Sequence, residues 1–288
     1  MQGLIERGAR RLRRARVFFG HGTDNAWDES AALVWHALRL RAPSARSYAR
    51  ATSEAEQRRV RELLTRRIRE RIPAVYLTGE TWFAGLKFRT DPRALIPRSP
   101  LAELIERGFA PWADPRRVRR VLDIGTGGGC IAIAAAHWLP RARVDALEIS
   151  AAALQLAALN LRRHRLGRRV RLLQSDYFSA LRGERYDIIV SNPPYVGARE
   201  MRSLPPEYRH EPRLALASGR DGMAAVRAIL QDARRHLNPG GILIVEVGNT
   251  EVAVQRAFPQ LPFTWLSFER GGGGVFLLKA EQLAERGG

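Results

Sequence analysis

The chain has 288 residues and a mass of 32.3 kDa, which suits one large domain or two of ordinary size. With 45% hydrophobic and 27% charged residues it can bury a proper core, so a wholly disordered chain is excluded. The single cysteine, Cys130, excludes a disulfide scaffold; no run of about 18 apolar residues reads as a membrane span, and without a signal peptide's apolar core the cytosol is the expected location.

The formal net charge is +19 and the isoelectric point about 11.4. That excess points to a polyanionic partner such as a nucleic acid or nucleoprotein. Every basic residue except Lys87 and Lys279 is an arginine, and such a skew also arises from biased coding. Residues 1–72 hold 17 arginines and 8 acidic residues, a net of +9 out of +19, and are about three times denser in positive charge than the remainder.

Residues 4–19 place Arg7, Arg10, Arg11, Arg13, Arg14 and Arg16 among Leu4, Ile5, Leu12, Val17, Phe18 and Phe19. They read as a basic amphipathic helix that either touches RNA or presents a solvated face; the lack of Ser and Thr argues against a transit peptide. After Gly20 to Gly22, the residues Trp27, Ala31, Val34, Trp35 and Leu38 recur at helical spacing behind Asp24 and Asn25, which suit caps. Residues 54–71 form another charged helix, with Val60, Leu63, Leu64 and Ile68 on one side and Pro73 ending it. A small helical domain is expected over 1–72. From Ala74, the groups Val75-Tyr76-Leu77, Trp82-Phe83 and Leu86-Lys87-Phe88 alternate around Gly79 and Gly85 as in a hairpin, and Ile96-Pro97-Arg98-Ser99-Pro100 follows, so 73–100 reads as a linker.

The rest, 101–288, alternates strand and helix. Strands are expected at 120–124, 143–149, 170–174, 186–191, 241–247, 263–268 and 274–278, and helices at 130–139, 151–163 and 223–237. This pattern predicts an α/β fold with a seven-stranded, mostly parallel sheet covered by helices on both faces.

Gly125-Thr126-Gly127-Gly128-Gly129 lies between a strand and a helix, where glycines let the backbone turn sharply and approach a ligand. Glu148 ends the next strand, 19 residues beyond Gly129, where an acid accepts hydrogen bonds from a ribose diol. The spacing is tighter than that of loops that cradle a pyrophosphate. Asp123, just before the loop, is placed to meet a cationic group. A ligand with a ribose, an ammonium and no phosphate fits, namely S-adenosylmethionine, whose adenine would lie beside Asp176 and Tyr177 after the third strand.

Asn192-Pro193-Pro194-Tyr195 follows the fourth strand, at the carboxyl edge of the sheet. Pro193 holds Asn192 extended and Pro194 does the same to Pro193. The turn therefore aims the Asn192 side-chain oxygen and the Pro193 carbonyl outward as fixed acceptors for a planar –NH2 group, with Tyr195 available to pack on that group. Such acceptors orient an amide nitrogen, otherwise a poor nucleophile, for attack on a sulfonium methyl. The six histidines are scattered, and no Cys/His grouping has metal-ligand spacing.

These residues resemble the Rossmann-like class I S-adenosylmethionine-dependent methyltransferases that act on an exposed planar nitrogen. That class includes adenine DNA methylases, some guanine rRNA methylases and protein glutamine methylases. Ile96-Pro97-Arg98-Ser99-Pro100, Tyr208 through Leu216 and Ala217-Ser218-Gly219-x-Asp221-Gly222 are similar to the glutamine N(5)-methyltransferase family. Ser99-Pro100 and the segment Gly20 to Glu29 resemble its branch that methylates a glutamine of the third protein of the large ribosomal subunit. The resemblance implies a helical substrate-recognition domain, a β-hairpin linker and a catalytic domain in that order. It implies that Gly125, Thr126, Gly127, Gly129, Glu148 and Tyr177 hold the cofactor, and that Asn192, Pro193, Pro194 and Tyr195 hold the glutamine. Gly128 and Glu148 depart from the Ser/Thr and Asp common in relatives. Arg98 stands either to close over the site or to form a linker salt bridge; Glu211 and Arg213 stand to pin a substrate loop or one another. A nucleic-acid base methyltransferase and a non-catalytic ribosome-assembly binder are the competing readings. Because a ribosomal protein is itself basic, an rRNA-bound assembly intermediate is the expected form of the substrate.

Overall fold

The computed structural model describes residues 1–40 and 44–283. Five helices come first: α1 (Gln2–Arg14), α2 (Ala26–Ala37), α3 (Ala45–Tyr48), α4 (Glu54–Arg69) and α5 (Ala74–Thr78). Asn25 caps α2 by accepting from the Trp27 and Asp28 N–H groups, and Ser53 with Glu56 forms a capping box on α4. Ile5 and Leu12, Leu33 and Val34, and Val60 and Leu64 pack from three of these helices into one apolar cluster. The first helix is shorter than expected. Arg16 turns the chain at φ 48°, and the Phe18 backbone is taken by side chains from elsewhere: its N–H donates to Glu207 and its carbonyl accepts from Arg67.

Val75-Tyr76-Leu77 is helical, not extended. It forms α5, which Gly79 closes in the left-handed conformation at φ 72°. The hairpin comprises only β1 (Glu80–Phe83) and β2 (Leu86–Arg89), joined by Ala84 and Gly85. Both have positive φ, as a tight two-residue hairpin requires.

After α6 (Leu101–Glu106) come β3 (Arg120–Ile124), α7 (Cys130–Trp138), β4 (Arg143–Glu148), α8 (Ala151–His164), β5 (Val170–Gln174) and β6 (Tyr186–Ser191). A lobe of short 3-10 turns follows, then α9 (Ala224–Asp232), β7 (Leu237–Glu246), α10 (Glu251–Ala257), β8 (Thr264–Trp265) and β9 (Val275–Lys279). The sheet order is β5-β4-β3-β6-β7-β9-β8, parallel except for β9, which runs antiparallel to both neighbours. The α/β class and the seven-stranded, mostly parallel sheet are as expected. Both sheet faces are buried, so side chains alternate between two cores. Val121, Val144, Ile188 and Ile242 meet the alanines of α7, which are small enough to let that helix lie close. Leu122, Leu147, Ile189 and Leu243 meet Val226 and Ile229 of α9. Among the described residues, no helix is long and apolar enough to cross a membrane.

The chain reverses its order of strand addition between β3 and β6. That leaves a crevice at their carboxyl ends, where open α/β sheets bind ligands.

Candidate active site

A cavity of about 310 Å³ opens at that crevice. Its walls come from the loop after β3, the ends of β4 and β5, the turn after β6 and the linker. Gly125, Thr126, Gly127, Glu148, Asp176, Tyr177, Asn192, Pro193 and Pro194 all stand on these walls, so the structure brings together most of the residues singled out in the sequence.

The glycine loop hangs from β4. Gly125 and Thr126 N–H groups both donate to the Leu147 carbonyl, at 2.8 and 2.9 Å. Gly127 N–H donates to Glu148 Oε2 at 2.8 Å, while Glu148 Oε1 accepts from Ser150 N–H at 2.9 Å. A Cβ built on Gly125, whose φ is 71°, would meet nothing within 4 Å; the space above it is the cavity. Gly129 is off the wall. It starts α7 at φ 83°, and a Cβ there would come 3.1 Å from Ala157 on α8.

Asp123 is also off the wall. It is fully buried beneath the loop, where Oδ2 accepts from the Thr126 hydroxyl at 2.5 Å and from Ala132 N–H at 3.0 Å. Oδ2 therefore ties the loop to α7, while Oδ1 is buried without a hydrogen-bond partner. Burial pushes its carboxyl up to about 7, against the opposing pull of these two donors.

The turn after β6 is fixed at its root by the Ser191 hydroxyl, which donates to the Ile124 carbonyl at 2.7 Å across the switch point. Asn192 Oδ1 is buried and accepts no hydrogen bond. An orphaned acceptor costs about 1–3 kcal/mol, and one on a cavity wall is completed by a ligand that donates. Tyr195 is not on the wall. Its ring lies against Gly248, where a Cβ would approach to 2.6 Å, and its hydroxyl donates to Glu246 Oε1 at 3.4 Å. Burial raises its phenol well above the usual value.

Beyond Tyr195, the lobe spanning 197–222 is held by two buried carboxylates. Glu207 accepts from Arg67 at 3.0 Å and from Phe18 N–H at 3.0 Å. Arg67 is itself wholly buried and also donates to Glu29 at 2.7 Å. Glu211 takes both Arg98 nitrogens at 2.7 Å, accepts from Ile96 N–H at 2.9 Å and has His21 Nε2 3.4 Å away. Burial pushes the Glu211 carboxyl up, but His21 and Arg98 together hold it down at about 2. Arg98 thus forms a salt bridge within the protein and also lines the cavity, 5.2 Å over the Tyr208 ring. The partner of Glu211 is Arg98 and not Arg213.

Sequence reasoning passed over Arg67, Glu207 and Glu246. Glu246 had a signal, because it ends a buried strand as Glu148 does. Arg67 had a fainter one: it falls at helical spacing behind Val60 and Leu64, on the buried face of α4.

Residues 110–204, which include both the glycine loop and the Asn-Pro-Pro-Tyr turn, match the methyltransferase small domain family. The ribosomal protein uL3 glutamine methyltransferase of Xanthomonas campestris is 48% identical over 281 residues, 97% of this chain and 91% of that protein. The protein of the same name from Bordetella pertussis is 46% identical over 285 residues, covering 98% and 96%. Among solved structures, a methyltransferase from Pyrococcus furiosus matches with a TM-score of 0.50 at 20% identity, over 68% of this chain and 89% of that one, a likeness of fold.

Proposed function

This chain belongs to the family of ribosomal protein uL3 glutamine methyltransferases, and we propose that it transfers a methyl group from S-adenosyl-L-methionine to the side-chain amide nitrogen (N5) of a glutamine in uL3. The observation that carries this reading is Asn192, which stands on the cavity wall with its Oδ1 buried and without a hydrogen-bond partner, in a turn stiffened by two prolines. A carboxamide –NH2 supplies the missing donor.

The cavity suits the cofactor on its own terms. Glu148 presents an acceptor for a ribose diol, Gly125 and Gly127 leave their backbone open to a close approach, and Ile149 and Tyr177 add apolar wall. When bound, S-adenosylmethionine supplies a methyl group activated by a sulfonium. The residues of the chain do the positioning. Asn192 Oδ1 and the Pro193 carbonyl accept the two amide N–H bonds, draw electron density toward nitrogen and hold its face toward the methyl. Orientation of this kind supplies up to about 7–11 kcal/mol in the best cases, and one fixed electrostatic contact about 2.7–4 kcal/mol. The same turn would grip an exocyclic amine of a nucleic-acid base; the names of the relatives favour the protein glutamine.

In this reading 1–72 recognises the substrate, 73–100 is the linker and 101–288 is catalytic, and the enzyme acts in the cytoplasm on an rRNA-bound assembly intermediate. Supporting the RNA, α1 exposes Arg7, Arg10, Arg11, Arg13 and Arg14. Arg11 reaches Thr65 at 3.4 Å, which sets α4 alongside, where Arg58, Arg61 and Arg69 are also exposed. Basic uL3 and this basic face repel each other unless phosphates lie between them, so binding should weaken steeply with salt. Equal rates on free uL3 across a broad salt range would refute the RNA-bound form. The chemistry is tested with labelled cofactor and ribosomal particles from cells lacking this enzyme. Label in a uL3 glutamine is expected, whereas label in rRNA alone overturns the assignment.

A further inference from the structure

Three residues far apart in sequence meet behind the turn. Ser99 of the linker donates its hydroxyl to Glu246 Oε2 at 2.5 Å, and Tyr195 donates to Glu246 Oε1 at 3.4 Å. The Glu246 carboxyl ends β7, opposite Val275 of β9, and is almost wholly buried. Ser99 stands on the cavity wall and Tyr195 directly follows the two prolines that carry the substrate-facing groups. Tyr195 has little freedom apart from this bond. Its ring is wedged on Gly248, and a Cβ on Gly222 would lie 2.5 Å from its carbonyl oxygen.

We propose that Glu246 is a positioning residue that locks the linker, through Ser99, to the Asn192–Tyr195 turn, through Tyr195, and so sets the angle at which the turn presents its acceptors to the substrate amide. This rests on the glutamine reading above. In this arrangement the carboxylate accepts two hydroxyl donors, one on each oxygen, and a displacement of the linker is transmitted to the turn through one rigid group.

The protonation state of the lock matters. Only the ionised carboxylate accepts from both hydroxyls at once; protonation turns one oxygen into a donor and loosens one arm. Burial pushes the Glu246 carboxyl up to about 7, opposed by the Ser99 and Tyr195 hydroxyls and by the nearby Arg98. Of the neighbours, Arg98 of the linker is held by Glu211, Tyr195 of the turn stays a neutral phenol, and Val275 of the adjoining strand is apolar. Turnover should accordingly rise as pH increases through about 7.

The test is steady-state kinetics on uL3-containing particles for the full-length enzyme and its Ser99→Ala, Tyr195→Phe, Ser99→Ala/Tyr195→Phe, Ser99→Thr and Glu246→Gln variants, with cofactor Kd measured in parallel. Ser99→Ala and Tyr195→Phe should each lower kcat about 10-fold, as expected for one hydrogen bond to a charged group, with little change in cofactor Kd. The double variant should lose much less than the product of the single losses, because both arms act through one carboxylate. Ser99→Thr, which restores the hydroxyl, should recover most of the kcat, and Glu246→Gln should shrink the pH step to what the buried Asp123 contributes. Full kcat in Ser99→Ala, multiplicative losses in the double variant, or an unchanged pH step in a folded Glu246→Gln would overturn the lock. Wild-type enzyme that methylates no glutamine at all would instead overturn the functional reading, so the two failures are distinguishable.

Discussion

The two halves of the cavity are built by different means. On the cofactor side, the loop from Gly125 to Gly129 is held by Asp123, Leu147 and Glu148, neighbours on two adjacent strands. On the substrate side, the turn and the lobe after it are held by Arg67, Arg98 and Ser99, which lie 140, 113 and 147 residues from their partners Glu207, Glu211 and Glu246. The first half is also braced by α8, where buried Asn160 donates to the Gly128 carbonyl at 2.9 Å and pairs with the Arg89 backbone of the hairpin. The second rests on ion pairs and hydrogen bonds reaching back to α4 and to residues 98 and 99. This division suits a fold that keeps one methyl donor and varies the acceptor.

That contrast can be broken at four places. The largest effect is expected for Arg67→Met, which removes the buried cation shared by Glu29 and Glu207 and leaves Glu207 only Arg71, at 3.5 Å. Breaking such a buried network costs about 3–5 kcal/mol, which denaturant unfolding would register. Next comes Asn192→Ala. It should lower kcat by roughly 10²–10³-fold while calorimetric cofactor affinity stays nearly constant; an equal loss of both would show that the halves are not separate.

Glu211→Gln is a test by pH. The folded-state pKa of Glu211 is depressed from 4.5 to about 2. Its stabilisation, roughly 3 kcal/mol, is therefore fully present above the ordinary carboxylate range and is lost as pH falls from about 4.5 toward about 2. The gap between wild type and variant in unfolding free energy should close over that window. Last, Glu148→Ala should weaken cofactor binding by about 1.5–3 kcal/mol yet leave kcat at saturating cofactor nearly intact.

The same division governs what could be read from the sequence. The strands β3, β5 and β6 were legible to the residue because each is a short apolar run bounded by turn signals. The glycine loop and the Asn-Pro-Pro-Tyr turn were legible because their chemistry lies in consecutive residues. Val75-Tyr76-Leu77 misled because three residues carry too little periodicity to separate a helical turn from a strand, and Gly79 as a helix cap outweighed β propensity. Asp123 and Tyr195 sit where strand ends meet the cavity, but one peptide unit decides whether such a side chain faces the ligand or the protein interior. Arg67 is one arginine among many, and only the arrival of Glu207 from a distant lobe turns it inward.

The most direct measurement is mass spectrometry of uL3 after incubation of ribosomal particles lacking the mark with the pure enzyme and S-adenosylmethionine, run beside Asn192→Ala. The expected result is a methyl group on the side-chain nitrogen of one uL3 glutamine with wild type and almost none with the variant. A methyl group on an RNA base instead, or equal modification of the glutamine by the variant, would contradict a site built around the unpartnered Asn192 oxygen.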